Sequence, residues 1–324
     1  MKKILLLISM AMLIISAGCS AKSAQENFPT RPIEVIVPFG EGSASDTFAR
    51  KFTEILSKNG DQPYQTVNKD GSGGLIGMMH AHKQPNDGYT ILEITPSHVI
   101  ADVLGKGKNV KLLEDFEPLA HIQSDIYVLS VNVNSPIESF EDLIDSGKKG
   151  PITFAGVSPG GLDDLVISSF AQKADIQTTF IPYKSGAEVK AAALGGEVDI
   201  YLDKLVNVVN YIKAGKVKPI VVFSSDRITQ LPELKDTPTA VEKGVDVTIG
   251  SWRGFVIKKD APQEVKDYLI TAMKEASETE EYKAFAADNL VNIGEEYLGP
   301  EDFKQKMLSE YEAFDEVSKT IGLK

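Results

Sequence analysis

Ile33-Glu34-Val35-Ile36-Val37-Pro38-Phe39-Gly40-Glu41-Gly42-Ser43-Ala44-Ser45-Asp46 changes character twice along its length. The β-rich run Ile33–Val37 ends in a loop with a proline and two glycines. A helical stripe follows, with Phe48, Phe52, Ile55 and Leu56 at i, i+4, i+7 and i+8. Ser43 stands where a helix cap is expected, and the unpaired N–H groups of the first turn then point past the carboxyl end of the strand. Such a corner has two readings. It is a capping box with Asp46 at N3, or it is an anion site in which amide donors and helix dipole act together.

Outward from this corner the alternation repeats. Runs with strand character are Tyr64–Val67, Thr90–Ile94, Tyr127–Val133, Ile152–Ala155, Thr178–Ile181, Val198–Leu202 and Val217–Phe223. Helical patterns lie between them at Leu162–Ala174, Ala187–Leu194 and Lys204–Ala214. Two late stripes follow, Val265-Tyr268-Leu269-Ala272-Met273 and Phe303-Met307-Tyr311-Phe314. Alternation of this kind predicts an α/β protein with largely parallel sheets. With 324 residues, two domains of ordinary size are expected. No repeat, low-complexity tract or long Pro- or Gly-rich linker separates them, so crossing strands and a hinge are expected. The expected division is 28–128 plus 229–324 for one lobe and 129–228 for the other.

A second strand-to-helix corner is Ala155-Gly156-Val157-Ser158-Pro159-Gly160-Gly161-Leu162-Asp163-Asp164. Gly156–Gly160 fits the G-x-S-x-G nucleophile elbow, which makes an extracellular serine hydrolase acting through Ser158 the alternative enzyme reading. Two features oppose it. Pro159 has no N–H, so the elbow loses its main oxyanion donor. His80, His82, His98 and His121 all precede Ser158, whereas the hydrolase order places the triad histidine last. The remaining readings are a tight glycine turn or a second set of donors facing the first.

Gly71-Ser72-Gly73-Gly74-Leu75-Ile76-Gly77 fails G-x-G-x-x-G at Ile76 and lacks a P-loop ending. His80 and His82 are two apart on a helical pattern and diverge. No metal-ligand spacing exists, and neither metal nor cofactor is expected.

Composition narrows the class. Apolar residues make up 42% and charged residues 25%, an ordinary globular mix. Lys+Arg 34 against Asp+Glu 46 gives a net charge of −12, which opposes sequence-independent binding to nucleic acid or anionic lipid. At the start, Met1-Lys2-Lys3 precedes an apolar run from Ile4 to Ile15, and Ser16-Ala17-Gly18-Cys19 closes it with the sole cysteine. This predicts a secretory signal over 1–18 and a polar tether over 19–27. The run with its Cys resembles a bacterial lipobox, although Ser16 stands where Leu is usual. The resemblance implies lipidation at Cys19 and a protein held outside the cytoplasm on the cell membrane. A lone Cys in an ordinary signal peptide is the other reading.

Taken in order, Arg31-Pro32-Ile33, Val37-Pro38-Phe39 with Asp46, Gly71–Gly77, Asp87-Gly88-Tyr89-Thr90 and Asp115-Phe116-Glu117-Pro118-Leu119 are similar to the substrate-binding receptors of tripartite tricarboxylate transporters, the Bug family. The series continues with Ile181-Pro182-Tyr183-Lys184, Gly195-Gly196-Glu197-Val198-Asp199 and Ser251-Trp252-Arg253-Gly254. The resemblance implies a two-lobed type II periplasmic binding protein fold with a hinge of crossing strands. It implies a monomeric, non-enzymatic receptor that captures a small carboxylate (di- or tricarboxylate, amino acid or aromatic acid). The receptor would hand its ligand to large and small integral-membrane transporter subunits; a sensing receptor without transport is the alternative. By position, the ligand would meet Phe39, Gly40, Ser43, Ala44, Ser45 and Asp46 of the first corner. From the second it would meet Gly156, Ser158, Gly160, Gly161 and Leu162. Asp203 matches a polar position at the cleft or hinge. Arg253 would pair a second carboxylate or else a neighbouring acid. Glu41, Asp163 and Asp164 depart from the family pattern. These acids either complement a helix dipole or favour a ligand that also carries an amine.

Overall fold

The computed structural model describes residues 28–324; the expected signal peptide 1–18, Cys19 and the tether to residue 27 lie outside the described residues. In the first lobe β1 (Ile33–Val37) leads into α1 (Ala44–Asn59), β2 (Tyr64–Asn68), α2 (Leu75–Lys83), β3 (Thr90–Ile94) and α3 (Pro96–Val103). A short α4 (Leu112–Asp115) precedes β4 (Phe116–Asp125). The chain then leaves for the second lobe and returns as β10 (Ser251–Lys258). The sheet order is β2-β1-β3-β10-β4, with β1, β2 and β3 parallel and β10 antiparallel to both its neighbours.

Both faces of this sheet are covered, which is why its strands read as near-continuous apolar runs. On one face Val35, Ile91 and Phe255 pack under α1, where Phe48, Phe52 and Phe255 stack with centroids 5.6–5.8 Å apart. Val265, Leu269 and Met273 of α9 (Gln263–Ser277) join the same cluster. On the other face Ile36, Leu92, Trp252 and Val256 meet α3 and the final helix α11 (Pro300–Thr320), through its Phe303, Met307 and Phe314. The short α10 (Glu280–Asp288) lies between those two helices in sequence.

The second lobe runs β5 (Tyr127–Asn132), α5 (Phe140–Lys149), β6 (Ile152–Gly156), α6 (Leu162–Ala174), β7 (Thr178–Pro182) and α7 (Gly186–Gly195). It closes with β8 (Tyr201–Lys204), α8 (Leu205–Lys213) and β9 (Val217–Phe223). Strands β6 and β7 are parallel, and β8-β5-β9 form an antiparallel set. A single parallel bridge between Phe154 and Ile200 joins the two pieces. The combined order β7-β6-β8-β5-β9 repeats the plan of the first lobe. Each lobe has three parallel strands, then an antiparallel strand arriving from the other lobe, then a fifth.

The lobes meet where β4 passes through Ile126 into β5 and where Gly250 leads into β10, with Ser251 in register against Asp125. This is a hinge of two adjacent crossing strands. The return crossing comes later than the boundary expected after residue 228. Ala240, Val245 and Val247 pack with Leu129 and Phe170, and Thr239 bridges to Val222, so the stretch up to Val247 belongs to the second lobe. Turn-rich sequence concealed this, because these residues bury apolar side chains without forming a regular element.

Helix α11 touches both lobes. Its Phe303 and Phe314 share a cluster with Leu165 of α6. A side chain at Gly160 would collide with Leu323, which follows the helix, since a Cβ there would lie 2.7 Å from Leu323 Cδ1.

Candidate functional site

The two corners are built alike. At the first, Gly42 takes φ +77°, Ser43 caps α1 by accepting from Asp46 N–H (3.2 Å), and Asp46 returns a carboxylate oxygen to Gly42 N–H (2.9 Å). At the second, Gly160 takes φ +69°, Gly161 is the N-cap of α6, and Asp164 accepts from Gly160 N–H at 2.8 Å. Left-handed backbone just before the cap needs glycine, and the carboxylate three residues into the helix locks the turn. The N–H groups of Ala44 and Ser45 in one corner, and of Leu162 and Asp163 in the other, find no acceptor among the described residues. Each lobe thus presents free donors and the positive end of a helix beyond the carboxyl end of a strand.

Asp46 is buried. Burial pushes its carboxyl up, but Arg50 (Nε at 3.0 Å), Gly42 N–H and Asn68 outweigh that and hold it below the usual range. It therefore shapes the corner rather than facing a ligand. Asp164 accepts from Gly160 and Ser168, and Asp163 accepts from Tyr127 Oη at 2.5 Å. Burial raises the Asp163 carboxyl while the Tyr127 hydrogen bond lowers it. Both acids thus have partners inside the protein, and Asp163 also lines the cavity between the lobes.

A cavity of about 390 Å³ lies between the lobes. The second lobe contributes Gly156, Ser158, Gly160, Gly161 and Leu162, so five expected residues come together there. From the first lobe the lining is Ser72, Gly73, Leu75, Ser97, Ile100, Ala101 and Lys106, not Phe39–Asp46. Phe39 adjoins this wall, its ring edge-on to His98 at 6.1 Å, while its carbonyl accepts from Asn68. Gly40 accepts from Ser43 N–H. The first-lobe lining sits at the carboxyl ends of β2 and β3. The rule that picks out the two corners would have found it, had it been applied to every parallel strand. Within the glycine-rich stretch that resembles a phosphate loop, Ser72, Gly73 and Leu75 line the cavity, while Gly74 and Gly77 serve packing. A Cβ on Gly74 would lie 2.6 Å from His98 Nε2, and one on Gly77 would lie 2.7 Å from Pro38.

Two other expected contacts have internal partners. Asp203 accepts from Tyr201 Oη (2.8 Å), Lys204 N–H (2.7 Å) and Asn207 (2.8 Å). Arg253 is 4% exposed and donates through Nη1 to Asp125 at 2.9 Å, the neighbouring-acid alternative. Asp125, at the hinge, also meets Lys204 of the second lobe at 3.5 Å. Burial pushes the Asp125 carboxyl up, yet Lys204 and Arg253 hold it below the ordinary value.

Beside Arg253 lies a group that sequence reading missed. Glu93 on β3 is fully buried, with Arg253 Nε 3.9 Å from its Oε1. Among the described residues neither Glu93 oxygen makes a hydrogen bond of good geometry, nor does Arg253 Nε, although the nearby Ser45 hydroxyl acts to lower the Glu93 carboxyl. Ser45 and Asp46 of α1 are its other polar neighbours, and burial pushes its carboxyl up to about 8. A glutamate inside an apolar strand, Thr90-Ile91-Leu92-Glu93-Ile94, was the available signal.

No histidine among the described residues hydrogen-bonds Ser158. His98 Nδ1 accepts from Thr95 N–H (3.1 Å), and His121 bonds Glu296 and Ser124. No group of three potential metal ligands occurs among the described residues.

The family model described as tripartite tricarboxylate transporter family receptor matches residues 48–308. The chain is 29% identical over 294 residues to protein BugT of Bordetella pertussis, covering 89% of each chain. Its fold is that of a TctC solute-binding protein from Polaromonas (TM-score 0.81, 24% identity, 91% of this chain and 100% of that one). An R. palustris protein solved with adipate is also similar (TM-score 0.72, 26% identity, 91% and 99% covered).

Proposed function

The chain belongs to the tripartite tricarboxylate transporter receptor family, and from that membership we propose that it captures a small carboxylate between its lobes, outside the cytoplasm, for a membrane permease of large and small subunits. The second corner carries this reading: Gly160, Gly161 and Leu162, at a helix start with free amide donors and a glycine locked by Asp164, line the cavity between the lobes, and the first corner repeats that build in the other lobe. The adipate held by the similar R. palustris protein supports a carboxylate as guest. Hydrogen bonds to a charged group contribute about 1.5–3 kcal/mol each, and a helix terminus adds about 0.3–1 kcal/mol. Several together reach about −8 kcal/mol, a micromolar affinity. A guest that touches both lobes favours the closed state, which is what a permease would read.

Calorimetry against di- and tricarboxylates, amino acids and aromatic acids tests the reading, and binding by at least one with micromolar affinity is expected. Trp252, the sole tryptophan, lies in crossing strand β10, its Nε1 donating to Glu310. Its fluorescence should shift on saturation with the same midpoint as the heat. No heat and no shift with any carboxylate would end the proposal. Anchoring through Cys19 is part of the same reading and rests on the sequence alone. Cys19→Ser should release the protein from the membrane fraction.

A further inference from the structure

We propose that Asp163, on the cavity wall, makes capture proton-linked: an anionic guest enters together with one proton, taken from solvent onto the Asp163 carboxyl. The carboxylate reading is the premise, and a pH dependence of capture is what Asp163 adds to it. Asp163 is the second residue of α6 and lines the cavity between the lobes, beside the free N–H groups of Leu162 and its own backbone. Tyr127 Oη, on crossing strand β5, donates to Asp163 Oδ1 at 2.5 Å. Among the described residues no hydrogen bond reaches Oδ2. One oxygen is therefore held and the other is available. Ionised, the side chain opposes a guest of like charge in the same cavity. Protonated on Oδ2, it donates to a guest oxygen, and repulsion becomes a charge-assisted hydrogen bond.

The groups around Asp163 come from every side. Asp164 on its own helix and Asp203 on β8 favour the protonated form; Lys204 on β8 and the Tyr127 hydroxyl favour the ionised one. Lys204 is shared, since its ammonium lies 3.5 Å from Asp125, which Arg253 also holds. Lys106 of the first lobe lines the same cavity with an exposed side chain. Burial is the largest influence, and it leaves the Asp163 carboxyl above its ordinary value in the empty protein. A guest's negative charge pushes it further the same way. Binding that raises a group's proton affinity takes up protons, and by reciprocity affinity falls as pH rises between the empty and occupied values, by up to about tenfold per pH unit.

Titration calorimetry of the full chain with adipate, L-malate, benzoate and L-glutamate, from pH 6.5 to 8.5 and in two buffers of different ionisation enthalpy, counts the protons. At least one of the three amine-free acids should bind with net proton uptake and lose affinity as pH rises. Asp163→Asn, neutral yet still accepting from Tyr127, should abolish the uptake, flatten the profile and bind at least tenfold tighter than the natural chain at pH 8.5. A merely structural aspartate predicts weaker binding at every pH. Tyr127→Phe removes a hydrogen bond that favours the ionised form, so it should move the falling limb to higher pH, and it serves if the asparagine variant does not fold. Binding without uptake, or a pH slope that survives in Asp163→Asn, overturns the proposal. So does binding of L-glutamate alone, whose ammonium would pair with an ionised Asp163. No heat with any of the four overturns the carboxylate reading instead. The empty protein gives an independent check: the carboxyl-carbon NMR resonance of Asp163, assigned by its loss in Asp163→Asn, should titrate above the usual carboxylate range, and a midpoint at or below that range overturns the proposal.

Discussion

Asp46 and Asp164 each stand four residues after a glycine of positive φ, and each accepts from that glycine's N–H. Removing the carboxylate frees the turn and orphans an amide. Asp164→Ala should therefore lower stability by about 1–3 kcal/mol, measured by urea denaturation, and weaken carboxylate binding at least tenfold. Asp164→Asn should fall between the two, since its amide oxygen still accepts. Much of this was legible beforehand, because Ser43 and Asp46 at cap and N3 spacing announce the first corner. The orientation of Asp163 and Asp164 was not legible. Tyr127, Gly160 and Ser168 engage them through folded geometry that adjacent acids in a sequence do not reveal. Arg253 and Glu93 were hidden for a related reason: pairing between neighbouring strands decides where a charge ends up.

At the scale of elements, strands β1, β3 and β9 follow the boundaries their apolar runs predict, as does helix α6. Strands β4 and β10 escaped. Phe116–Asp125 contains a proline and buries His121, Gln123, Ser124 and Asp125 near its hinge end, so it shows neither alternation nor a clean apolar run. Three of those groups are satisfied across the fold, by Glu296, Tyr282 and Arg253, partners far away in sequence, and Ser124 by His121 of the same strand. Gly156 ends β6 for a packing reason: a Cβ there would lie 2.4 Å from the Phe180 ring on β7. Gly156→Ala should destabilise by about 1–3 kcal/mol through overpacking. Phe180→Leu in the same chain should restore part of the loss, and thermal denaturation of the single and double variants measures the coupling.

Among the buried groups that shape the whole molecule's response to pH, two histidines and two glutamates pull in opposite directions. Burial pushes His98 down to about 4 and His121 to about 3, so the folded protein resists protons that the unfolded chain takes up below about 6.5. Burial pushes Glu93 up to about 8 and Glu310 to about 7, so the folded protein keeps protons that the unfolded chain loses above about 4.3. Between those limits the two effects nearly cancel. As pH rises towards 8 only the acids act and stability falls. As pH drops below about 4.3 the histidines dominate, the depressed Asp46 and Asp125 add to them, and stability falls again. Denaturant midpoints should therefore peak in a mildly acidic plateau, and Glu93→Gln should flatten the alkaline side. A midpoint still climbing from pH 6.5 to 8 would contradict this assignment of burial. Alternating elements and the absence of a linker made two lobes legible, but the return crossing was not, since Ala240, Val245 and Val247 pack without periodic sequence.

Helix α11 lies against both sheets' helices, with Leu165 of one lobe and Trp252 of the other in a single cluster beside its Phe303 and Phe314. A shell whose halves share one spine cannot gape evenly on all sides. Any parting of the lobes should therefore be smallest beside this helix and widest on the side away from it.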